Sequence, residues 1–536
     1  MFAEKAKKSK MKSEIAKKLS EKTFLRVIFI IIAQVVLSFI WLKQDNFPLW
    51  FDYGGYYKKS IEVYRSLDSG MISFLQALFS TQNPGFVPYR IILPLSSVPW
   101  YFIFGISTDV AVLGNTSFLM IMLFSLYALV ARIFDRTTAF FSVFLLATSP
   151  GFFIYYHRYS PEFAASAFVA LTAYFLYRSK NFQNRAFAIL AGVSFGLGML
   201  AKEMTFAFIA GLLLYFLFFQ RGYFKRNKNF FAHFFVFCLA TLVLVLPFYW
   251  LHMKHLLQNI FQCAYSRQMA QRYAMVNAYN LEGILFYLRA IFKFLFLPFY
   301  LLWAFFGIFL LLKGKLRDKW LILFWIASSY IILCSTQTRA PEYALPLLIP
   351  LTMAASHGVV FISRRRFIKI CIFSLILIWG VAQFFFLSFP FSWLPEKGKL
   401  REFGILNMTF PNKEDWKLGQ IIDYLKDNLR EGQVQSCVHL GTNLFALSPV
   451  TLGYVALEKN VPLEFYGYGL TAEQALTCDF IIVKKSGDQG IFYSQKDAQE
   501  LLAKIKESGL FTKLSKTFIL PDNSQAEIYQ KIGHNP

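Results

Sequence analysis

Runs of about 16 to 25 mostly apolar residues recur along the chain, near 24–42, 109–133, 138–156, 161–177, 186–201, 204–219, 230–251, 288–312, 320–335, 343–362 and 367–389. A helix rises about 1.5 Å per residue, so runs of this length match the roughly 30 Å hydrocarbon layer of a bilayer. Main-chain polar groups in lipid must be satisfied within the chain itself, so such runs can only be helices. Composition agrees: 56% of the 536 residues are hydrophobic and 63 are Phe, with a mean hydropathy of +0.45. A soluble domain of this length would carry more charge. The pattern predicts an all-α polytopic membrane domain of about 11 transmembrane helices.

The net charge of +24 would point to nucleic acid in a soluble chain. Here the Lys and Arg sit in short loops between apolar runs, namely ARIFDR, YRSKNFQNR, QRGYFKRNKN, KGKLRDK and SRRRFIK. These loops share the side of the Lys-rich segment 1–23 if the run 86–107 does not span. That run carries Pro88, Pro94, Pro99 and Arg90, which would break a helix repeatedly in lipid. We therefore read 86–107 as an interfacial or re-entrant part of a large outer loop, 43–108. The basicity then records orientation by the positive-inside rule, and no nucleic-acid partner is expected. Segment 1–23 lacks an apolar core and a cleavage site, so it reads as a cytoplasmic surface helix followed by an uncleaved anchor.

An odd number of spans puts everything after Phe389 outside the cytoplasm. The transmembrane domain is thus 24–390, and 391–536 is a small extracytoplasmic α/β domain. Within it WKLGQIIDYLKDNLR and KDAQELLAKIKESG have helical spacing, while VQSCVHL, DFIIVKK and AEIYQKI read as strands. Cys437 and Cys478 could pair if that domain is extracytoplasmic. The expected location is a bacterial inner membrane, with site and tail on the outer side.

Sidedness sorts the remaining charges. The outer helix ends carry few, and those come as sets: Asp52 in WFDYGGYYKKS, then His157, Arg158 and Glu162, then Lys202 and Glu203, then Arg339 and Glu342. A lone Lys or Arg at a helix end usually snorkels to headgroups, and Arg158 with Glu162 could be a local helical pair. Recurrence at one depth favours a shared cavity instead, because ionisable groups at a membrane boundary are costly unless paired, solvated or used. Three cations facing a carboxylate suit a site that binds a phosphate and does chemistry beside it. Walker A, GxGxxG, HExxH and GxSxG motifs are absent, so ATP-driven transport and serine or zinc hydrolysis gain no support. His157, Glu203, His252 and His255 lack the spacing of a zinc motif, and a divalent metal stays open as a cofactor.

The Asp after the first run, NPGFVPYRIILP, SPGFFIYYHRYSPEF, GVSFGLGMLAKEMTF and TRAPEYALPLLIP follow one another in an order that resembles GT-C membrane glycosyltransferases. The resemblance is closest to the protein O-mannosyltransferase-like group, glycosyltransferase family 39, which includes the lipid A aminoarabinose transferases, and covers roughly residues 24–362. It implies a transferase that uses a polyprenyl-phosphate sugar and inverts the anomeric carbon. Asp52 matches the family's catalytic acid, while Tyr53 stands where the family usually keeps a second acid. Lys202 matches the lysine after the GLGML-type turn, and Arg158 and Arg339 match basic positions near the donor phosphate.

A sugar hydroxyl or amine needs a base, for which Asp52 is the candidate. The leaving lipid phosphate needs cations, for which Arg158, Lys202 and Arg339 are candidates. Glu162 and Glu342 would orient the arginines, with His157 and Glu203 in support. Tyr53, Tyr56 and Tyr57 could wall the sugar or acceptor or form an interfacial aromatic belt, and Gly54 and Gly55 would allow a turn. Partners are the lipid-linked donor, membrane lipids and an extracytoplasmic acceptor, whether lipid, glycan or protein. The alternative is a transporter or flippase of lipid-linked glycans, although such proteins place ionisable groups near the midplane and show internal repeats. An assembly subunit would leave the acid-base sets unexplained.

Overall fold

The computed structural model describes residues 2–80, 90–219, 229–259, 280–316, 318–336, 339–362, 366–390, 410–430, 434–467, 470–490 and 493–532. Two compact units emerge. The first comprises Met1–Trp41, Phe79–Leu93 and Gly114–Phe410, and the second Leu42–Leu78, Pro94–Leu113 and Pro411–Pro536. The stretch after the first apolar run thus packs with the C-terminal part of the chain, several hundred residues on.

The first unit is helical. Among the described residues five stretches are long and apolar enough to cross a membrane: Lys22–Leu42, Thr108–Ile133, Phe230–Leu251, Pro341–Phe361 and Phe367–Ser388. The pair Arg136–Ala147 and Pro150–His157 makes a sixth, bent by 56° at its break. The expected straight run 138–156 is therefore broken, because Pro150 starts a new helix at its first position. Arg185–Ala201, Leu297–Lys313 and Lys319–Cys334 are shorter apolar helices. The run 204–219 is helical over Thr205–Leu214 and widens into a π turn at Tyr215–Phe219. The run 288–312 divides likewise, through a π turn at Ile291–Leu295 and Leu297 in the left-handed region at φ 65°. Phe231 is 75% exposed, Trp250 71% and Phe367 77%, an apolar outer surface that suits lipid and not water.

Segment 1–23 is not a separate surface helix. Phe2–Leu42 forms one helix of 41 residues, since neither Gly nor Pro interrupts it. The run 86–107 contains the helix Ile92–Phe104 with Pro99 inside it. Residues 81–89, and with them most of NPGFVPYRIILP, lie outside the described residues, as do 391–409 and most of 252–287.

The second unit holds a five-stranded sheet in the order β2-β1-β3-β5-β4. Its strands are β1 Ser436–Leu440, β2 Leu463–Tyr466, β3 Phe480–Lys484, β4 Phe511–Ile519 and β5 Gln525–Lys531. β1 runs parallel to β2 and β3, whereas β5 is antiparallel to β3 and β4. All five β3 residues are buried, as a central strand covered on both faces should be. Helix Gln495–Ser508, closed at its start by a Ser494–Asp497 capping box, sends Leu501 and Ile505 into a core with Ile481, Val483 and Tyr529. A disulfide joins Cys437 in β1 to Cys478, just before β3.

Helix Phe51–Ser66 belongs to this second unit. A Cβ on Gly54 would come within 2.6 Å of the Leu49 carbonyl oxygen, 2.9 Å of Val450 and 3.2 Å of Tyr454. The glycine therefore serves close approach to helix Pro449–Glu458 and not the turn expected from GG. Tyr57 packs edge-on against Tyr454 at 5.1 Å and donates its hydroxyl to Glu458. Ser60 Oγ and Tyr101 Oη are 2.6 Å apart.

Candidate active site

In the first unit the charged residues named from sequence come from the turns that join helices. Helix Pro150–His157 stops at Arg158, and Tyr159 at φ 45° reverses the chain. Ser160 then opens helix Pro161–Arg178, whose first turn holds Glu162. Glu162 is 3% exposed and accepts from Ser160 Oγ at 2.5 Å and from Lys202 Nζ.

Lys202 reaches it because helix Arg185–Ala201 ends there: its backbone is extended, at φ −163° and ψ 134°. Gly198 permits that ending, since a Cβ there would meet Thr205 at 2.7 Å and Phe168 at 3.1 Å. The Lys202 ammonium also lies over the Tyr343 ring, 4.5 Å from its centroid. Next in the chain, Glu203 takes two hydrogen bonds from Arg90, Nε at 2.9 Å and Nη2 at 2.7 Å. Arg90 is buried, 3% exposed. Burial opposes the Glu203 charge, yet Arg90 and Lys202 hold its carboxyl below the usual range.

Glu342 accepts from the Tyr155 hydroxyl at 3.2 Å and lies in the field of Glu162, Lys202 and Arg158. Arg158 stacks over the Tyr155 ring at 5.4 Å. Arg158, Glu162, Lys202, Glu203 and Glu342 are therefore brought together. Glu162 accepts from a lysine and a serine. Ser160, the residue preceding Pro161, presents its hydroxyl to the same first turn.

Arg339 and His157 are used differently. Arg339 is 4% exposed and donates to the main-chain carbonyls of Cys334 at 2.7 Å and Thr336 at 3.0 Å. It thus caps the end of helix Lys319–Cys334, where a cation is favoured. His157 turns into the apolar interior, stacked on Trp41 at 4.4 Å and donating from Nδ1 to Phe153 O at 2.7 Å. It packs with aromatic rings although Arg158 beside it joins the charged set. Sequence reasoning missed Arg90 as a partner of Glu203, along with Tyr155, Ser160 and Tyr343. The signal was an Arg inside an apolar, Pro-rich run, which demands a buried acid.

In the second unit Asp52 is exposed and occupies the first turn of helix Phe51–Ser66, where the positive helix end favours a carboxylate. Tyr53, Tyr56 and Tyr57 are buried, the last completely, with the Tyr57 hydroxyl committed to Glu458. Among the described residues no three His, Cys, Asp or Glu gather as a metal-ligand set. His252 donates from Nε2 to Phe79 O at 2.9 Å.

A family model described as dolichyl-phosphate-mannose-protein mannosyltransferase matches residues 100–250. No curated protein sequence matches the chain. Among solved structures, ArnT from Cupriavidus metallidurans bound to undecaprenyl phosphate is similar with a TM-score of 0.61 at 13% identity, over 95% of this chain and 98% of that one. The arabinofuranosyltransferase AftD from Mycobacteria gives 0.57 at 12%, over 95% of this chain and 40% of the other. The Archaeoglobus fulgidus oligosaccharyltransferase AglB, in complex with an inhibitory peptide and a dolichol-phosphate, gives 0.51 at 11%, over 95% of this chain and 74% of that one. The chain therefore has the GT-C fold of these membrane glycosyltransferases, and its residues 100–250 are similar to the mannosyltransferase family model.

Proposed function

We propose that the chain is an integral membrane glycosyltransferase that moves a sugar from a polyprenyl-phosphate donor to an extracytoplasmic acceptor, with inversion at the anomeric carbon. The observation that carries this reading is the gathering of Arg90, Arg158 and Lys202 with Glu162, Glu203 and Glu342 at the turns of one apolar helix unit. So many ionisable groups at a bilayer boundary are costly unless used. The relatives support the donor class, since one ArnT structure holds undecaprenyl phosphate and one AglB structure dolichol phosphate.

The acceptor oxygen or nitrogen attacks the anomeric carbon as the bond from that carbon to the phosphate oxygen breaks, and the electron pair leaves on the phosphate. Asp52 takes the acceptor's proton. Lys202 and Arg158 meet the developing phosphate charge, each contributing on the order of a few kcal/mol in a partly dry site. Glu162 and Glu203 hold Lys202 and Arg90 in place, and Arg339 fixes the turn that carries Glu342. Attack opposite the leaving group gives inversion. The outer face is the expected side, consistent with the Cys437–Cys478 disulfide, a bond that persists in oxidising compartments.

Proteoliposomes holding the full chain and a radiolabelled polyprenyl-phosphate sugar test this. The expected result is label in a new glycosidic bond to an added envelope acceptor. Label moved across the bilayer with no new bond would make the chain a flippase and overturn the proposal.

A further inference from the structure

The charged turns just described are not the only ones the first unit assembles. A cavity of about 620 Å³ opens where Arg132, Tyr177, Arg178, Lys180, Phe216 and Asp318 come together. Its size is that of a small-molecule site. All but Phe216 come from the basic loops ARIFDR, YRSKNFQNR and KGKLRDK, so the structure gathers at one place three loops that the charge pattern had assigned to one side. Its charged lining consists of Arg132, Arg178, Lys180 and Asp318, a surplus of positive charge around a concave surface.

The cations are held and not merely present. Arg132 lies over the Tyr174 ring at 5.1 Å and donates to Ala128 O at 2.8 Å. Arg178 lies over the Phe187 ring at 4.4 Å. Such faces fix a guanidinium plane before any anion arrives. Asp318 accepts from the Tyr177 hydroxyl at 2.8 Å.

Lys180 sits on a costly turn. Lys180, Asn181 and Phe182 all have positive φ, at 50°, 59° and 60°, and each non-glycine residue there costs roughly 1 kcal/mol. The turn is anchored from below: Phe182 is fully buried among Phe230, Phe234 and Phe237 at 5.4 to 5.8 Å, and Ser179 Oγ accepts from Phe182 N at 3.1 Å. A strained turn kept by its surroundings and carrying a lysine to a cavity is what a binding loop requires.

We propose that this cavity binds a phosphate ester, specifically the headgroup of an anionic membrane lipid. The cavity lies at the ends of helices whose outer faces are apolar, where headgroups are concentrated, and aromatic Tyr177 and Phe216 join its cationic lining. Basic pockets between transmembrane helices are suited to such headgroups. This site shares no residue with the proposed transfer site and does not depend on it.

The test uses the full chain in nanodiscs of phosphatidylcholine with and without phosphatidylglycerol, with retained lipid read by native mass spectrometry after partial delipidation. Wild type should retain phosphatidylglycerol over phosphatidylcholine, and Arg178→Ala with Lys180→Ala should lower that preference about tenfold or more. Lys180→Glu alone, at an exposed position, provides a second variant, and melting in pure phosphatidylcholine verifies that both fold. In a lipid-free detergent arm, inorganic phosphate should give no stabilisation that depends on Arg178 and Lys180. If it does, with no lipid preference, the headgroup assignment falls and a free phosphate is the ligand. Unchanged phosphatidylglycerol retention in folded variants would overturn the site.

Discussion

Glu162 is the residue on which the charged cluster of the first unit turns. It is nearly fully buried and holds both Ser160 and Lys202, so its removal strands an ammonium that keeps only a fifth of its side-chain surface in water. Glu162→Gln is expected to destabilise the protein by about 2 kcal/mol, read as a lowered Tm, and to weaken donor binding more than acceptor binding. Arg90→Lys should behave almost as badly as Arg90→Ala, because one ammonium cannot reproduce the two hydrogen bonds of the guanidinium. If the lysine variant keeps wild-type stability and transfer, Arg90 does not position Glu203. Which residues would gather was legible where charge interrupts an apolar run, as at Lys202 and Glu203. Who pairs with whom was not, since Arg90 and Glu203 lie 113 residues apart. Nor does sequence tell that His157 faces Trp41 while Arg158 faces Tyr155, because neighbouring residues at a helix end point in different directions.

At the scale of the element, glycines decide where helices touch. Gly54→Val should destabilise the second unit by about 1–3 kcal/mol, because the main-chain oxygen of Leu49, 2.6 Å from the site of the new Cβ, cannot rotate away as a side chain would. Circular dichroism melting of the variant checks this, and an unchanged Tm would contradict it. Sequence periodicity gives strands β1, β3 and β5 and helix Gln495–Ser508, since apolar spacing and caps are local signals. It misses β4, whose FTKLSKTFI carries three hydroxyl-bearing residues and two lysines as an edge strand does, and the four-residue β2. The long apolar runs were legible as helices, but their breaks at Pro150 and at Leu297 were not, since apolar composition is unchanged through a bend.

At the scale of the whole molecule, two devices bind segments of the second unit that are remote in sequence. One is the disulfide, which closes a separation of 41 residues. Its reduction should lower stability by about 2–4 kcal/mol, seen as a lower Tm in reductant. The other is Tyr57 with Glu458, 401 residues apart. Burial pushes the Glu458 carboxyl up to about 7, against the pull of the Tyr57 hydroxyl, Lys459 and Arg65. A carboxyl raised on folding is stabilising when protonated, so this contribution is full below the ordinary glutamate range and is lost as pH rises through about 7. Stability of the second unit should therefore fall between about pH 5 and 8, and Glu458→Gln should flatten that slope; an equal slope in the variant would remove Glu458 as its source.

The central claim is a sugar transfer whose proton acceptor is Asp52. Single-turnover transfer from a labelled polyprenyl-phosphate sugar, compared between wild type and Asp52→Asn in the same proteoliposomes, addresses it directly. The expected outcome is a fall in transfer rate of about a hundredfold or more, with donor binding and Tm unchanged. Transfer at the wild-type rate in a folded Asp52→Asn protein would contradict the account.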